Sequence, residues 1–207
     1  MLVIGLTGGM GMGKSTAAAY LRQRGVPVFD ADAYVHHLYE GPAVPVVERA
    51  FPGVTREGRV DRALLAKEVA REPARLKELE AIVHPLVVAA EIEFLREQEA
   101  KGESLAVLEI PLLFETGAEA RVDVTITVSA PEDIQRARVL DRPGMTAETL
   151  IALKARQLSD TERRARSDYV VESGTTLENM QAQLEDLIES LKIREGKVME
   201  TLRPSKS

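Results

Sequence analysis

A chain of 207 residues, 44% hydrophobic and 29% charged, is long enough for one globular domain with an inserted subdomain, and at that size roughly 70% of the unfolded surface can be buried without covalent staples. The absence of cysteine excludes disulfides, thiolate metal sites and a thiol nucleophile, and a formal charge of −6 argues against a broad nucleic-acid surface. No apolar run approaches the ~20 residues of a membrane span, and the N-terminal apolar run has no basic flank, so it reads as a core strand and not a signal peptide, with a soluble cytoplasmic protein as the expectation.

In chain order, the first signal is the strongest. Leu2-Val3-Ile4-Gly5-Leu6-Thr7 is a β-branched apolar run, Gly8 to Thr16 is glycine-rich, and an alanine-rich helical pattern then runs to Gly25. Within this strand, loop and helix, Gly8, four spacers, Gly13, Lys14 and Ser15 satisfy the phosphate-binding loop pattern. The chemistry explains the residue types. Gly8, Gly9, Gly11 and Gly13 free the backbone so that successive N–H groups, Met12's included, can wrap an anion. The helix beginning near Lys14 aims free N–H groups and its positive dipole end at the same point. Lys14 adds a cation for the β- and γ-phosphates, and the hydroxyl of Ser15, followed by Thr16, can ligate the Mg²⁺ that travels with them. Chance supplies such a match in a chain of this length on the order of 1% of the time. A dinucleotide fingerprint fails on spacing, since Lys14 or Thr16 falls where its last glycine belongs.

Val26-Pro27-Val28-Phe29 is a second short strand, with Asp30-Ala31-Asp32 at its end, and strand ends of this kind hold ligands in parallel sheets. Residues 33–50 read as helical with a break at Gly41-Pro42, and Phe51-Pro52-Gly53 and Glu57-Gly58 are turns. From Val60 to Gln98 the apolar spacing is helical throughout, interrupted at His84-Pro85, and predicts an all-helical insertion. Leu105 to Ile110 is a buried central strand ending at Pro111 to Glu115, Val122 to Val128 is another strand, and Pro131 with Glu132 and Asp133 opens a helix through Leu140. A break at Asp141-Arg142-Pro143-Gly144 precedes a polar, arginine-rich helical stretch from Thr146 to Arg166, restarted by the capping box Ser159 to Glu162 and sparse enough in apolar residues to predict a mobile lid. Tyr169-Val170-Val171 is the last strand, and Thr175 with Glu178 caps a final amphipathic helix. Residues from about Gly196 onward are expected to fray. Strands alternating with helices imply an α/β fold, a parallel sheet covered on both faces with the loop at its carboxyl edge.

A phosphate loop serves kinases, switch GTPases, motors and simple binders. A switch GTPase needs a magnesium loop after a strand and an Asn-Lys-x-Asp reader. Here Asp141 to Gly144 follows a helix, and Asn179, the only asparagine, precedes Met180. A small-molecule kinase needs an acid near the acceptor hydroxyl, an acceptor pocket, and cations that close over the transferring phosphoryl. Asp32, the helical block, and Arg136, Arg138 and Arg142 supply these parts. Asp32 and Asp30 also suit a helix cap. A kinase for another small alcohol or nucleotide, and a non-catalytic nucleotide switch, are the competing readings.

These residues resemble the dephospho-CoA kinases. The likeness is carried by Gly5 to Gly9 and on through Thr16, Asp30-Ala31-Asp32, Gly58 with Asp61-Arg62, Leu79-Glu80 before His84-Pro85, Pro111 to Glu115, and Asp168 ahead of the last strand. It spans about residues 2–190. The resemblance implies a P-loop kinase fold with a five-stranded parallel sheet, a helical acceptor-binding insertion over 60–98, a lid over 138–166, a core from 1–59, 99–137 and 167–195, and a flexible tail over 196–207. It further implies phosphorylation of the ribose 3′-hydroxyl of dephospho-coenzyme A by ATP with Mg²⁺. Charge and hydropathy lead to the expectation of no nucleic-acid or membrane partner, and the sequence leaves the oligomeric state open, with a monomer as the default. On this likeness Asp32 orients or deprotonates the hydroxyl, Lys14 and Arg142 act on the phosphates, Arg62 and His84 contact the acceptor, and Glu109 meets Mg²⁺ through water. Three positions depart from the family pattern: Met12 replaces a usual Ser, Glu109 a common Asp, and Glu172-Ser173-Gly174 a segment where Asn is usual.

Overall fold

The computed structural model describes residues 1–155 and 157–202. Its contacts divide into two units, Asp30–Phe94 and the remainder, Met1–Phe29 with the chain from Leu95. The elements in order are β1 (Leu2–Thr7), α1 (Lys14–Gln23), β2 (Val28–Asp30), α2 (Ala31–Tyr39), α3 (Val44–Ala50), β3 (Thr55–Arg56), β4 (Arg59–Val60), α4 (Arg62–Arg71) and α5 (Pro73–Ala100). Then come β5 (Leu105–Glu109), a 3-10 turn at Ala118–Arg121, β6 (Val124–Ser129), α6 (Glu132–Leu140), α7 (Ala147–Lys154), α8 (Asp160–Arg166), β7 (Tyr169–Glu172), α9 (Leu177–Leu191) and α10 (Val198–Leu202).

The larger unit is built on a five-stranded sheet in the order β2-β5-β1-β6-β7. β1 lies at its centre, parallel to β5 from Leu2↔Leu105 to Leu6↔Glu109 and to β6 from Ile4↔Val124 to Thr7↔Thr127. β1, β5 and β6 are buried along their whole length, which is why they read as continuous apolar runs and not as alternating ones. One sheet face, carrying Leu2, Ile4, Leu6, Val107, Ile126 and Val128, packs against Ala17, Ala18 and Leu21 of α1 and Met180, Leu184, Ile188 and Leu191 of α9. This places the β1–α1 bend at the carboxyl end of the central strand. The α9 cap is Thr176, whose hydroxyl accepts from the N–H of Asn179, one residue beyond the Thr175 expected from spacing. Thr175 instead accepts from the Asn179 side-chain amide.

The expectation of a frayed tail from Gly196 fails for the described part. Asp123 Oδ1 accepts the N–H groups of Lys197 and Val198 at 2.6 and 2.9 Å, Arg96 donates to Leu202 O, and Met199 is buried. A carboxylate on the β6 approach thus caps α10, with its other oxygen receiving Val3 N–H at 2.8 Å. Residues 203–207 of the expected tail lie outside the described residues.

The smaller unit has its own core of Leu38, Val47, Phe51, Val54, Val60 and Leu65. Its boundary differs from the expected 60–98, because residues 30–59 associate with the helices that follow. Turns and caps build it: Glu57 and Gly58 take φ of 50° and 78° in the β3–β4 hairpin turn, and Asp61 accepts from Ala63 and Leu64 at the start of α4. Glu48 accepts from the N–H of Gly53 and Thr55, bonds that hold its carboxyl below the ordinary range. Arg75 stacks 4.4 Å from the Phe51 ring centroid. The interruption expected at His84-Pro85 is absent, since α5 runs through Pro85. A proline in a helix removes one ladder bond, and the burial of Val83, Val87 and Ala90, spaced on one helix face, offsets that loss.

Candidate active site at the phosphate loop

Residues 8–13 turn the chain from β1 into α1. Gly13, at φ 91°, is the N-cap, and the first rung of the helix ladder runs from Ala17 N to Gly13 O at 3.0 Å. The N–H groups of Lys14, Ser15 and Thr16 therefore precede the ladder and have no acceptor within the helix. Gly11, at φ 76°, and Gly13 occupy backbone that side chains rarely adopt. A Cβ on Gly11 would stand 2.6 Å from Val139 Cγ2, and one on Gly13 2.9 Å from Ser173 Oγ. Both glycines are thus required by angle and by space. Ser15 and Thr16 are exposed at the mouth of the loop.

Lys14 Nζ lies 2.7 Å from Glu109 Oε1, and Arg22 Nη2 lies 3.2 Å from Glu109 Oε2. Glu109 ends β5, beside Leu6 of β1, and is only 2% exposed. A buried carboxylate needs such partners, because stripping one from a buried pair costs about 3–5 kcal/mol. Arg22 was not singled out in the sequence, since nothing local marks it.

A cavity of about 320 Å³ opens beside the loop, lined by Gly11, Gly13, Thr16, Arg138, Arg142, Ser173 and Thr175 to Leu177. Arg142 therefore lines the same cavity as Gly11 and Gly13. Arg138 goes further, donating to Ser173 O at 2.7 Å and to Gly11 O at 3.4 Å. Sequence reasoning missed Gln135, Ser173 as a loop contact, and Arg163. Gln135 donates to Met10 O, Ser173 to Met12 O, and Arg163 Nη1 sits 2.8 Å from where a Gly9 Cβ would be. No spacing signal could have found them, because each meets the loop from a distant stretch. The thioether of Met12 accepts the N–H of Ala130 at 3.2 Å.

In α8, Arg163 is buried and Arg164 reaches Ser129 Oγ and Glu172, and just before the helix Leu158 N–H donates to Glu115 Oε1 at 2.8 Å. The capping box at Ser159 forms as its spacing predicted. Asp168 accepts from the N–H and hydroxyl of Thr125.

Asp30, Asp32, Arg62 and His84 belong to the smaller unit. Asp30 caps α2, accepting from Ala33 N at 2.9 Å, which leaves Asp32 exposed in the first helical turn. Arg62 Nη1 is 2.8 Å from His36 Nε2, and His84 is exposed on α5.

A central parallel strand, a glycine loop with a lysine at its helix, and a cavity rimmed by arginines define the class of P-loop phosphotransferases. The family model described as CoaE, dephospho-CoA kinase, matches residues 2–179. A curated dephospho-CoA kinase of Rhodopseudomonas palustris strain BisB18 is 51% identical over 188 residues, covering 91% of this chain and 94% of that protein. Among solved structures, a Thermus thermophilus protein superposes with a TM-score of 0.80 at 39% identity, covering 92% of this chain and 97% of that one. The dephospho-CoA kinase of Campylobacter jejuni shares the fold, with a TM-score of 0.70 at 20% identity over 92% and 96% of the two chains. The chain belongs to the dephospho-CoA kinase family.

Proposed function

We propose that the chain transfers the γ-phosphoryl group of ATP to the ribose 3′-hydroxyl of dephospho-coenzyme A, giving coenzyme A and ADP. Family membership supports the acceptor. The observation that carries the reading is Lys14 at the mouth of a glycine loop, held 2.7 Å from Glu109. An ammonium parked on a carboxylate can turn to the β- and γ-phosphates, while Arg22, on the other carboxylate oxygen, keeps Glu109 compensated. Loop N–H groups and the start of α1 hold the phosphates, and the cavity beside Gly11 and Gly13 takes the nucleoside, with Arg138 and Arg142 at its rim.

Asp32 takes the proton of the 3′-hydroxyl as its oxygen bonds to the γ-phosphorus and the bond to the β–γ bridging oxygen breaks, releasing ADP. It is available for this because Asp30 holds the cap. Arg62 leaves His36 for an acceptor phosphate, and His84 supplies a further acceptor contact. The unit Asp30–Phe94 serves as the acceptor domain, and residues 138–166 serve as the lid that excludes water.

Mg²⁺ fits the donors present. Among the described residues no group of three or more His, Asp or Glu stands together; the Mg²⁺ of a nucleotide is held mainly by phosphate oxygens. The exposed Ser15 hydroxyl would hold it directly and Glu109 through water. When bound, it neutralises charge on the transferring phosphoryl. In the same reading the protein works as a cytoplasmic monomer and binds neither nucleic acid nor membrane. No helix among the described residues is long and apolar enough to cross a membrane.

The test is ADP release from ATP and Mg²⁺ with and without dephospho-coenzyme A. Strong dependence on this acceptor supports the reading. Stimulation only by a different alcohol or nucleotide would make the chain another small-molecule kinase, and no stimulation by any acceptor would make it a nucleotide switch.

A further inference from the structure

Three successive carbonyls of the phosphate loop are tied from outside it. Gln135 Nε2 donates to Met10 O at 2.8 Å, Arg138 Nη1 to Gly11 O at 3.4 Å, and Ser173 Oγ to Met12 O at 2.5 Å. A trans peptide points its N–H opposite its C=O. Tying Met10 O therefore directs Gly11 N–H away from Gln135, and tying Met12 O directs Gly13 N–H away from Ser173. The peptide between them is fixed at both ends, since Met12 N–H donates to Gly9 O at 3.1 Å, which corrects the expectation that this N–H faces the anion: it closes the loop's own turn instead.

The direction of the Ser173 bond follows from its partners. Arg138 Nη1 donates to Ser173 Oγ at 3.1 Å, and a guanidinium can only donate, so the single hydroxyl proton is left for Met12 O. Ser173 is in turn anchored to the sheet, its N–H reaching Ser129 O at 2.7 Å. Gln135 and Ser173 are only 4% and 5% exposed. Such restraint is needed because the glycines that let this loop wrap an anion also let its peptide planes swing away from one.

We infer that Gln135 and Ser173 are positioning residues that hold the loop peptides in the phosphate-binding orientation before nucleotide arrives, with Arg138 setting the Ser173 hydroxyl. The inference rests on residues 8–16 being the triphosphate site. Binding then needs little reordering of the loop, and affinity for phosphate rises by the cost avoided.

The experiment titrates ADP, and separately adenosine, into the full-length wild type, Gln135→Met, Ser173→Ala and the double variant. Gln135→Met keeps length while removing the donor. Each single variant should weaken ADP about threefold to tenfold, the yield of one net hydrogen bond. Adenosine, which has no phosphate, should bind Gln135→Met as it binds the wild type, because Gln135 does not line the cavity. Ser173 does, so Ser173→Ala is read by whether ADP weakens more than adenosine, and a general loss of structure or a base contact alone would weaken both equally. The double variant should weaken ADP by less than the product of the singles, because both tethers hold one loop. Unchanged ADP affinity in Gln135→Met, or equal losses for ADP and adenosine, would overturn the inference alone. A wild type that binds no ADP would overturn the phosphate-loop reading with it. If Gln135→Met does not fold, Ser173→Ala, which removes one oxygen, decides by the same comparison.

Discussion

In the phosphate loop, Gln135, Arg138 and Ser173 hold the backbone from afar, and Glu109 holds the Lys14 side chain. In the unit Asp30–Phe94, Asp32, Arg62 and His84 stand exposed on helices whose caps and turns are made by near neighbours, such as Asp30 with Ala33 and Asp61 with Ala63. Distant ties fix a shape before a ligand comes. Exposed side chains on locally built helices leave the ligand to complete theirs. On the proposed function, the nucleotide end is therefore the preorganised half of this chain, and the acceptor end the adaptable half.

Breaking the adaptable half at its chemical centre should have the largest effect. Asp32→Asn is expected to lower kcat on the order of 10²–10⁴-fold with ADP affinity unchanged in the same preparation. Weakened nucleotide binding with surviving turnover would show that Asp32 has a structural task and would erase the contrast. Lys14→Ala should lower turnover about 10²–10³-fold while far-ultraviolet circular dichroism stays native, and near-normal turnover would contradict the loop assignment. Arg62→Ala should raise the KM for dephospho-coenzyme A about tenfold at little change in kcat, as the loss of one charge-assisted contact. An equal fall in kcat would instead place Arg62 on the transferring group.

The smallest effect concerns the start of α8. Ser159→Ala removes the capping box of α8 and should cost about 1 kcal/mol in a denaturant melt. The Ser159 hydroxyl and N–H hold the Glu162 carboxyl below its ordinary value. A depressed carboxylate adds stability that is fully present above the ordinary carboxylate range and is lost as pH falls through the lowered value. The gap between wild type and variant should therefore narrow at acid pH, as the hydroxyl loses its bond to the Glu162 carboxylate, without closing, because Ser159 Oγ still accepts from Glu162 N–H. A gap that does not change with pH would show that the carboxylate bond adds nothing.

Legibility in the sequence followed the range of the forces involved. The Ser159 box, the Glu57-Gly58 turn and the strand–loop–helix of residues 2–25 depend on neighbours a few positions apart, so spacing revealed them. Pro85 misled because the local loss of one bond was visible while the burial of Val83 and Val87 was not. The tail misled for the same reason, its caps being supplied by Asp123, 74 and 75 positions away. Asp30 and Asp32 were both plausible caps by composition, and backbone geometry selected Asp30.

By itself the sequence determined the α/β alternation, the phosphate loop with Lys14 and Ser15, and the family, since glycine backbone freedom, helix polarity and residue spacing are written locally. Tertiary structure alone decided that Glu109 would join Lys14 to Arg22, that residues 30–59 would pack with the helical unit, and that Gln135 and Ser173 would reach the loop. Hydrogen bonds and ion pairs act over a few ångströms, and only packing brings groups 87 to 161 positions apart within that reach.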